Sequence, residues 1–129
     1  MKTILLVTVP RILLGLIFLV SAVDGFWWLA TGTNLIHPPT SEQGLAFEAA
    51  LQHSFVWPMV KAVNLAGALS LLANVVPAFG LALITPIMAV IVAFHFVLNP
   101  QGIPVATILV VLGLLLAWAY RRHYAALFR

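Results

Sequence analysis

Four long apolar runs alternate with short polar or turn-forming segments along the chain. The runs cover residues 8–29, 55–76, 79–98 and 104–120. Each is close to the roughly 20 residues that a helix needs to cross the hydrocarbon core of a bilayer. Proline and glycine separate the later runs, with Pro77 and Gly80 predicting one tight turn and Pro100 and Gly102 another. The pattern predicts four membrane-spanning helices.

The one substantial polar stretch is the loop of residues 31–54. It begins with turn-forming residues, and from Ser41 onward its spacing is typical of a short amphipathic helix with Ser41 as N-cap. We expect Glu42 and Glu48 on the polar side of this helix. The opposite side is predicted to carry Leu45, Ala46, Ala49, Ala50 and His53.

The positive charges predict the topology. Lys2 precedes the first run, and Arg121, Arg122 and Arg129 follow the fourth, whereas the loop of residues 31–54 has no lysine or arginine. The positive-inside rule then places both termini in the cytoplasm and the loop outside. The fold class predicted is all-α, a single domain forming a transmembrane antiparallel four-helix bundle with both termini cytoplasmic.

Composition places the chain in the lipid bilayer and excludes other classes. Of its 129 residues, 64% are hydrophobic and 7% are charged, which lies far outside the range of soluble proteins. The basic pI of about 10.0 therefore reflects topology and gives no indication of nucleic acid as a partner. The chain has no cysteine, which excludes thiol chemistry and thiolate metal sites.

Small residues predict where the spans approach one another closely, as is usual for helices packed in lipid. They are Gly15 in the first run, Ala62, Ala66, Gly67 and Ser70 in the second, and Gly113 and Ala117 in the fourth.

Polar residues from three runs are expected at one depth. Asp24 lies near the end of the first run, and Lys61 and Asn64 lie near the start of the second. His95 lies near the end of the third run. Because successive spans alternate in direction, all four fall in the outer third of the membrane, where Ser21 can join them. A charged residue within a span costs about 2.5–3.5 kcal/mol on insertion scales, so such residues usually pair or line a cavity.

Two interpretations of this cluster stay open. In the first, an Asp24–Lys61 ion pair and an Asn64–His95 contact satisfy one another and only fix the helix register. In the second, the same four residues are the ligand-binding residues of an outward-facing pocket for an apolar molecule with a polar head. We expect the Asp24–Lys61 ion pair in either case, because the two charges are opposite and lie at similar depth.

Other chemistry has little support in the sequence. Arg11 lies near the cytoplasmic end of the first run, where we expect it to snorkel to the headgroups. The four histidines show no metal-ligand spacing, so no metal site is predicted. No glycine-rich phosphate loop or nucleophile motif occurs, and no catalytic residue is assigned.

Several segments in order resemble the DoxX family of small four-helix membrane proteins. Residues 11–21 (RILLGLIFLVS) resemble its R-x-L-L-G-L-I-F opening, and residues 61–67 (KAVNLAG) its K-x-x-E-x-x-G pattern. The third run from Pro86 to His95, the turn at residues 99–104 (NPQGIP) and the ending at residues 116–121 (LAWAYR) are similar as well. Two positions depart from the pattern, since Asn64 stands where the family has an acid and Val90 where it has an asparagine.

The resemblance implies a bacterial-type inner-membrane protein of quinone-linked or oxidative-stress redox metabolism. Members include small subunits of enzymes such as thiosulfate:quinone oxidoreductase, which implies quinone as ligand and a membrane or soluble redox subunit as partner. The alternative is a non-catalytic membrane scaffold or accessory subunit of a larger complex. A solute transporter has less support, because four spans without internal repeats leave little room for alternating access. The sequence leaves open whether the chain forms a homo-oligomer.

Overall fold

Four long helices form the body of the protein. The computed structural model describes all 129 residues. The long helices are α1 (Val9–Thr31), α3 (Val56–Ala73), α4 (Pro77–Val97) and α5 (Ile103–Ala119). Each is long and apolar enough to cross a membrane, when α1 is counted with the helical turn of residues 4–8 before it and α5 with that of residues 100–102. The predicted all-helical, antiparallel four-helix bundle is confirmed.

The four helices form a closed ring around a common core. Helix α1 packs against α3 and α5, and α4 packs against the same two helices from the opposite side. The core is filled by large apolar side chains from every long helix, with Phe18, Leu71, Ile84 and Leu116 fully buried.

Shorter elements lie at the two ends of the bundle. Helix α2 (Glu42–Gln52) lies at the end that holds the long loop, which we call the loop end. Helix α6 (Arg121–Ala125) lies at the opposite end, where the Tyr124 hydroxyl donates to the Ala78 carbonyl at 2.6 Å. Burial, with a smaller effect from Tyr120, raises the pKa of Tyr124 to about 12. The hydroxyl therefore keeps its proton, which it needs to hold α6 against the start of α4.

The turn between α3 and α4 lies earlier in the chain than predicted, at residues 74–76. Helix α3 ends at Ala73, because Asn74 and Val76 adopt left-handed backbone conformations with φ of 56° and 44°. The Ser70 hydroxyl lies 2.6 Å from the Val75 carbonyl oxygen and 3.0 Å from that of Val76, so it stabilises the turn. Gly80 was expected in this turn, but it lies within the first turns of α4, since Pro77 already begins the helix.

Gly80 serves close helix packing instead. A Cβ atom at Gly80 would lie 2.5 Å from Ser70 Oγ, and one at Gly67 would lie 3.1 Å from the Gly80 carbonyl oxygen. The prediction that Ala62 and Ala66 also belong to this packed face is wrong, because both are exposed. The face of α3 that packs against the bundle is offset by one residue from the predicted alanine stripe and carries Gly67.

Arg11 has hydrogen-bond partners within the bundle. Its guanidinium donates to the Leu71 carbonyl and, at 3.4 Å, to the Leu72 carbonyl in the last turn of α3. Carbonyl groups at a helix C-terminus have no intrahelical donor and carry a partial negative charge, so a cation stabilises them. Arg11 thereby ties the start of α1 to the end of α3.

Replacing Gly67 tests the close contact of α3 with α4. Gly67→Ala places a methyl group against the Ile84 side chain and the Gly80 carbonyl, and we expect it to lower the free energy of unfolding by about 1–3 kcal/mol. Thermal unfolding in detergent measures the effect. Gly113→Ala is the matched control, because its added methyl meets only the flexible end of Met88, with Cε at 2.8 Å. Equal losses in the two variants would contradict the packing argument.

Candidate functional site

A cavity of about 560 Å³ lies at the loop end of the bundle. Helices α1, α3 and α4 form its walls, α2 and the preceding loop cover it, and α5 contributes no side chain. Most of the lining is apolar. All four residues predicted to bind a ligand, Asp24, Lys61, Asn64 and His95, line this one cavity.

Lys61 reaches the cavity through space that a glycine provides. Its aliphatic stem lies against Gly25 of α1, where a Cβ atom would collide with it. The ammonium group donates to Ser21 Oγ at 2.9 Å and lies 4.3 Å from the centroid of the Trp57 ring. A hydroxyl and an aromatic face thus stabilise the positive charge of Lys61, which is only 8% exposed.

Two polar atoms beside Lys61 have no partner in the protein. They are the Asn64 side-chain oxygen and the indole nitrogen Nε1 of Trp57, and both atoms are buried. Asn64 is 1% exposed and Trp57 is 7% exposed, and both residues line the cavity. A buried polar group without a hydrogen bond costs about 1–3 kcal/mol. Neither atom has solvent-accessible surface, so the two become available to a bound molecule only if their side chains turn toward the cavity.

Asp24 organises the loop and does not pair with Lys61. Its carboxylate accepts from Asn34 Nδ2 at 2.9 Å and from the backbone N–H groups of Leu35 at 2.6 Å and Ile36 at 3.2 Å. The predicted Asp24–Lys61 ion pair is wrong, since the Lys61 ammonium donates to Ser21. The loop turns back at Gly32, with φ of 80°, and this turn brings the backbone N–H groups of the loop to the Asp24 carboxylate.

Helix α2 faces the cavity with a side that was predicted to be polar. Ser41 is its N-cap, as predicted, and accepts from Gly44 N at 3.0 Å. Glu48 lines the cavity, whereas Leu45, expected on the apolar side, is exposed. The inward face is set by contact with α4, where Phe47 packs against Phe94 with ring centroids 5.7 Å apart.

Glu48 adds a second carboxylate to the cavity. Gln52 donates to it at 3.5 Å and to Asn34 at 3.3 Å, so Glu48 and Asp24 are linked through two amides. Burial raises the pKa of Glu48, while the positive charge of Lys61 lowers it and the negative charge of Asp24 raises it.

His95 lies on the opposite wall from Asp24. Its Nδ1 atom is 3.3 Å from Asn99 Nδ2, so the predicted Asn64–His95 contact is replaced by one within the turn after α4. The ring packs edge-on against Phe94, with centroids 5.1 Å apart, and against Gly102, where a Cβ atom would collide with it. Glycine at 102 therefore makes room for the imidazole, as glycine at 25 does for Lys61.

Sequence reasoning missed three contributors to this site. Glu48 carried a usable signal, because the chain has only three acidic residues and a buried lysine attracts a carboxylate. Trp57 was not predicted as a site residue because it lies near the start of a span, where tryptophan is common at the membrane interface. Gly25 gave no signal, since only the fold shows which side chain crosses it. No three His, Asp or Glu side chains converge as a metal site would require.

Replacing Asp24 tests its hold on the loop. The Asp24→Asn variant replaces one carboxylate oxygen with an NH₂ group. This group faces another donor, either the Asn34 amide or the loop N–H groups, so at least one hydrogen bond is lost. We expect hydrogen exchange at the Leu35 and Ile36 amides to become about tenfold faster. Exchange is measured by mass spectrometry on protein in lipid nanodiscs. Glu42→Gln is the control, because Glu42 is exposed on the same segment; equally fast exchange there would contradict the assignment.

No protein-family model, no curated protein and no solved structure matches this chain. What is established is a multi-pass integral membrane protein with four candidate spans packed antiparallel and a largely apolar cavity among them that includes several polar residues in its lining. The resemblance to the DoxX family stays a prediction from the sequence segments.

Proposed function

We propose that the protein binds a neutral lipophilic molecule of the quinone class in the cavity at the loop end. The observation that carries the proposal is the largely apolar cavity lined by Lys61, Asn64 and His95, with the unpartnered atoms Trp57 Nε1 and Asn64 Oδ1 buried just behind its surface. Ligand sites of this kind combine apolar walls with a few convergent polar groups that orient the head of the ligand.

The polar groups match both redox forms of a quinone head. A quinone carbonyl oxygen accepts hydrogen bonds. The ammonium of Lys61, a residue that lines the cavity, is one donor, and the Trp57 N–H becomes a second when the indole turns toward the ligand. A quinol hydroxyl also donates, and the free oxygen of Asn64 is an acceptor beside them. The same site can therefore hold the head group before and after reduction without leaving a buried polar atom unpaired.

The charges favour a neutral head group over an anionic one. Asp24 and Glu48 place two carboxylates in the lining, and Lys61 places one ammonium there. An anionic head would be attracted by one charge and repelled by two, in surroundings of low dielectric constant where both effects are strong. A neutral carbonyl compound avoids this repulsion and still accepts from Lys61.

The rim of the cavity accommodates an apolar tail. Val20 on α1 and Val90 on α4 line the cavity and are also 48% and 54% exposed. Both lie near the middle of membrane-spanning helices, so their exposed surface faces hydrocarbon. A ligand whose head lies beside Lys61 can extend its tail past these valines into the bilayer.

This binding fits the role that the family resemblance implies. We propose a small subunit or enzyme of quinone-linked or oxidative-stress redox metabolism in a bacterial-type inner membrane, with a membrane or soluble redox subunit as its partner. Lys61 and His95 match the family pattern, and both line the cavity. The motifs and the cavity thus support the same ligand class independently.

Binding of a short-tailed ubiquinone or menaquinone analogue tests the proposal. Trp57→Phe keeps an aromatic face under Lys61 but removes the N–H, and we expect affinity to fall about five- to tenfold. Isothermal titration calorimetry on protein in nanodiscs measures it. Trp118→Phe is the matched control, because Trp118 is exposed on α5, away from the cavity. Absence of binding to the parent protein would contradict the proposal and favour the non-catalytic scaffold.

The proposed topology places the termini in the cytoplasm and the cavity near the outer face. The chain has no cysteine, so single cysteines can report it directly. We expect a membrane-impermeant maleimide to label Ala46→Cys on α2 in intact cells. Ala125→Cys on α6 should react only after permeabilisation; both alanines are exposed in the structure. The reverse pattern would contradict the positive-inside assignment.

A further inference from the structure

We infer that Asn99 is a positioning residue that holds His95 with its ring proton on Nε2, so that the imidazole acts as a hydrogen-bond donor toward the cavity. The assignment of the proton comes from the hydrogen bonds around Asn99. Its consequence for ligand choice rests on the proposed binding of a carbonyl compound.

A backbone group fixes which end of the Asn99 amide is which. The side-chain oxygen of Asn99 accepts the Ser41 N–H at 2.9 Å. A backbone N–H can only donate, so the atom facing it must be the oxygen and not the nitrogen. The side-chain nitrogen, a donor only, is then the atom that lies 3.3 Å from His95 Nδ1.

The orientation of the amide decides the tautomer of His95. Because the Asn99 nitrogen donates, Nδ1 of His95 has to accept and carries no proton. In the neutral ring the proton is therefore on Nε2, which has no hydrogen bond within the protein. The ring cannot turn over freely, since Phe94 packs on it and Gly102 lies against its Nδ1 side.

Asn99 is itself firmly held. It is buried, its backbone N–H donates to the Phe94 carbonyl at 2.9 Å, and its own carbonyl accepts from Gly102 N at 3.0 Å. The Ser41 hydroxyl also donates to the neighbouring Leu98 carbonyl, which ties the start of α2 to the same turn. The chain of contacts from α2 through Asn99 to His95 thus leaves the Nε2 proton as the donor that His95, a residue lining the cavity, can offer to a ligand.

A proton on Nε2 makes the His95 side of the cavity selective for an acceptor atom. Together with Lys61, it gives the cavity N–H donors on α3 and on α4. A head group with carbonyl oxygens on opposite edges can accept from both walls, whereas one that only donates cannot. The backbone carbonyl of Asn99 also lies within hydrogen-bonding reach of the imidazole. In the competing arrangement the proton is on Nδ1 and is donated to this carbonyl, which leaves Nε2 as an acceptor.

Nitrogen-15 and carbon-13 NMR of histidine-labelled protein in lipid distinguishes the two tautomers. His95→Gln assigns the His95 signals by their loss. We expect the parent protein to show the Nε2–H form; an Nδ1–H form would overturn the inference even if quinone binds. Conversely, an Nε2–H form without quinone binding supports the positioning role of Asn99 and contradicts the proposed function.

Two variants separate positioning from simple structural support. Asn99→Asp still accepts the Ser41 N–H, but it presents an oxygen to Nδ1, so we expect His95 to become protonated on Nδ1 and affinity for the quinone analogue to fall about five- to tenfold. Ser41→Ala loses the helix cap but keeps the backbone N–H, so the Nε2–H form should persist. A purely structural role predicts the opposite ranking, with the tautomer disturbed in Ser41→Ala and retained in Asn99→Asp.

Discussion

The cost of holding a charge within a membrane-spanning helix governs the arrangement of the loop end. Lys61 brings a positive charge into a span, and hydrocarbon supplies nothing to solvate it. The protein solvates it internally, with the Ser21 hydroxyl and the face of Trp57 around the ammonium. This solvation occupies Ser21, and the neighbouring Asn64 oxygen and Trp57 N–H are left without partners. The residues that stabilise the charge of Lys61 thus also line the cavity.

Two tethers hold the cover of the cavity in place. Asp24 binds the returning loop through its backbone N–H groups, and Asn99 binds the start of α2 through Ser41. Between them, Glu48 is carried over the cavity on the inward face of α2. The position of this carboxylate is therefore a product of contacts made at both ends of the covering segment, and none of these contacts involves Glu48.

Residue type and spacing predicted the four spans and the shared depth of Lys61 and His95, because hydropathy and alternating direction are properties of the chain itself. Partner choice could not be predicted in the same way. Asp24 prefers N–H groups that approach only when the loop folds back, and Arg11 prefers carbonyls that become available only where α3 ends. The prediction of which face of α2 points inward was wrong for a related reason, because contact with Phe94 outweighs a weak amphipathic pattern. Long-range geometry decides such cases.

Helix α5 completes the core but gives no side chain to the cavity. Support and recognition are therefore carried by different parts of one small chain. Substitutions along α5 can change how tightly the bundle is packed without altering the groups that a guest meets, and the outward surface of α5 is free to diversify. In a chain of 129 residues, that separation allows bundle packing and the cavity lining to be altered by different substitutions.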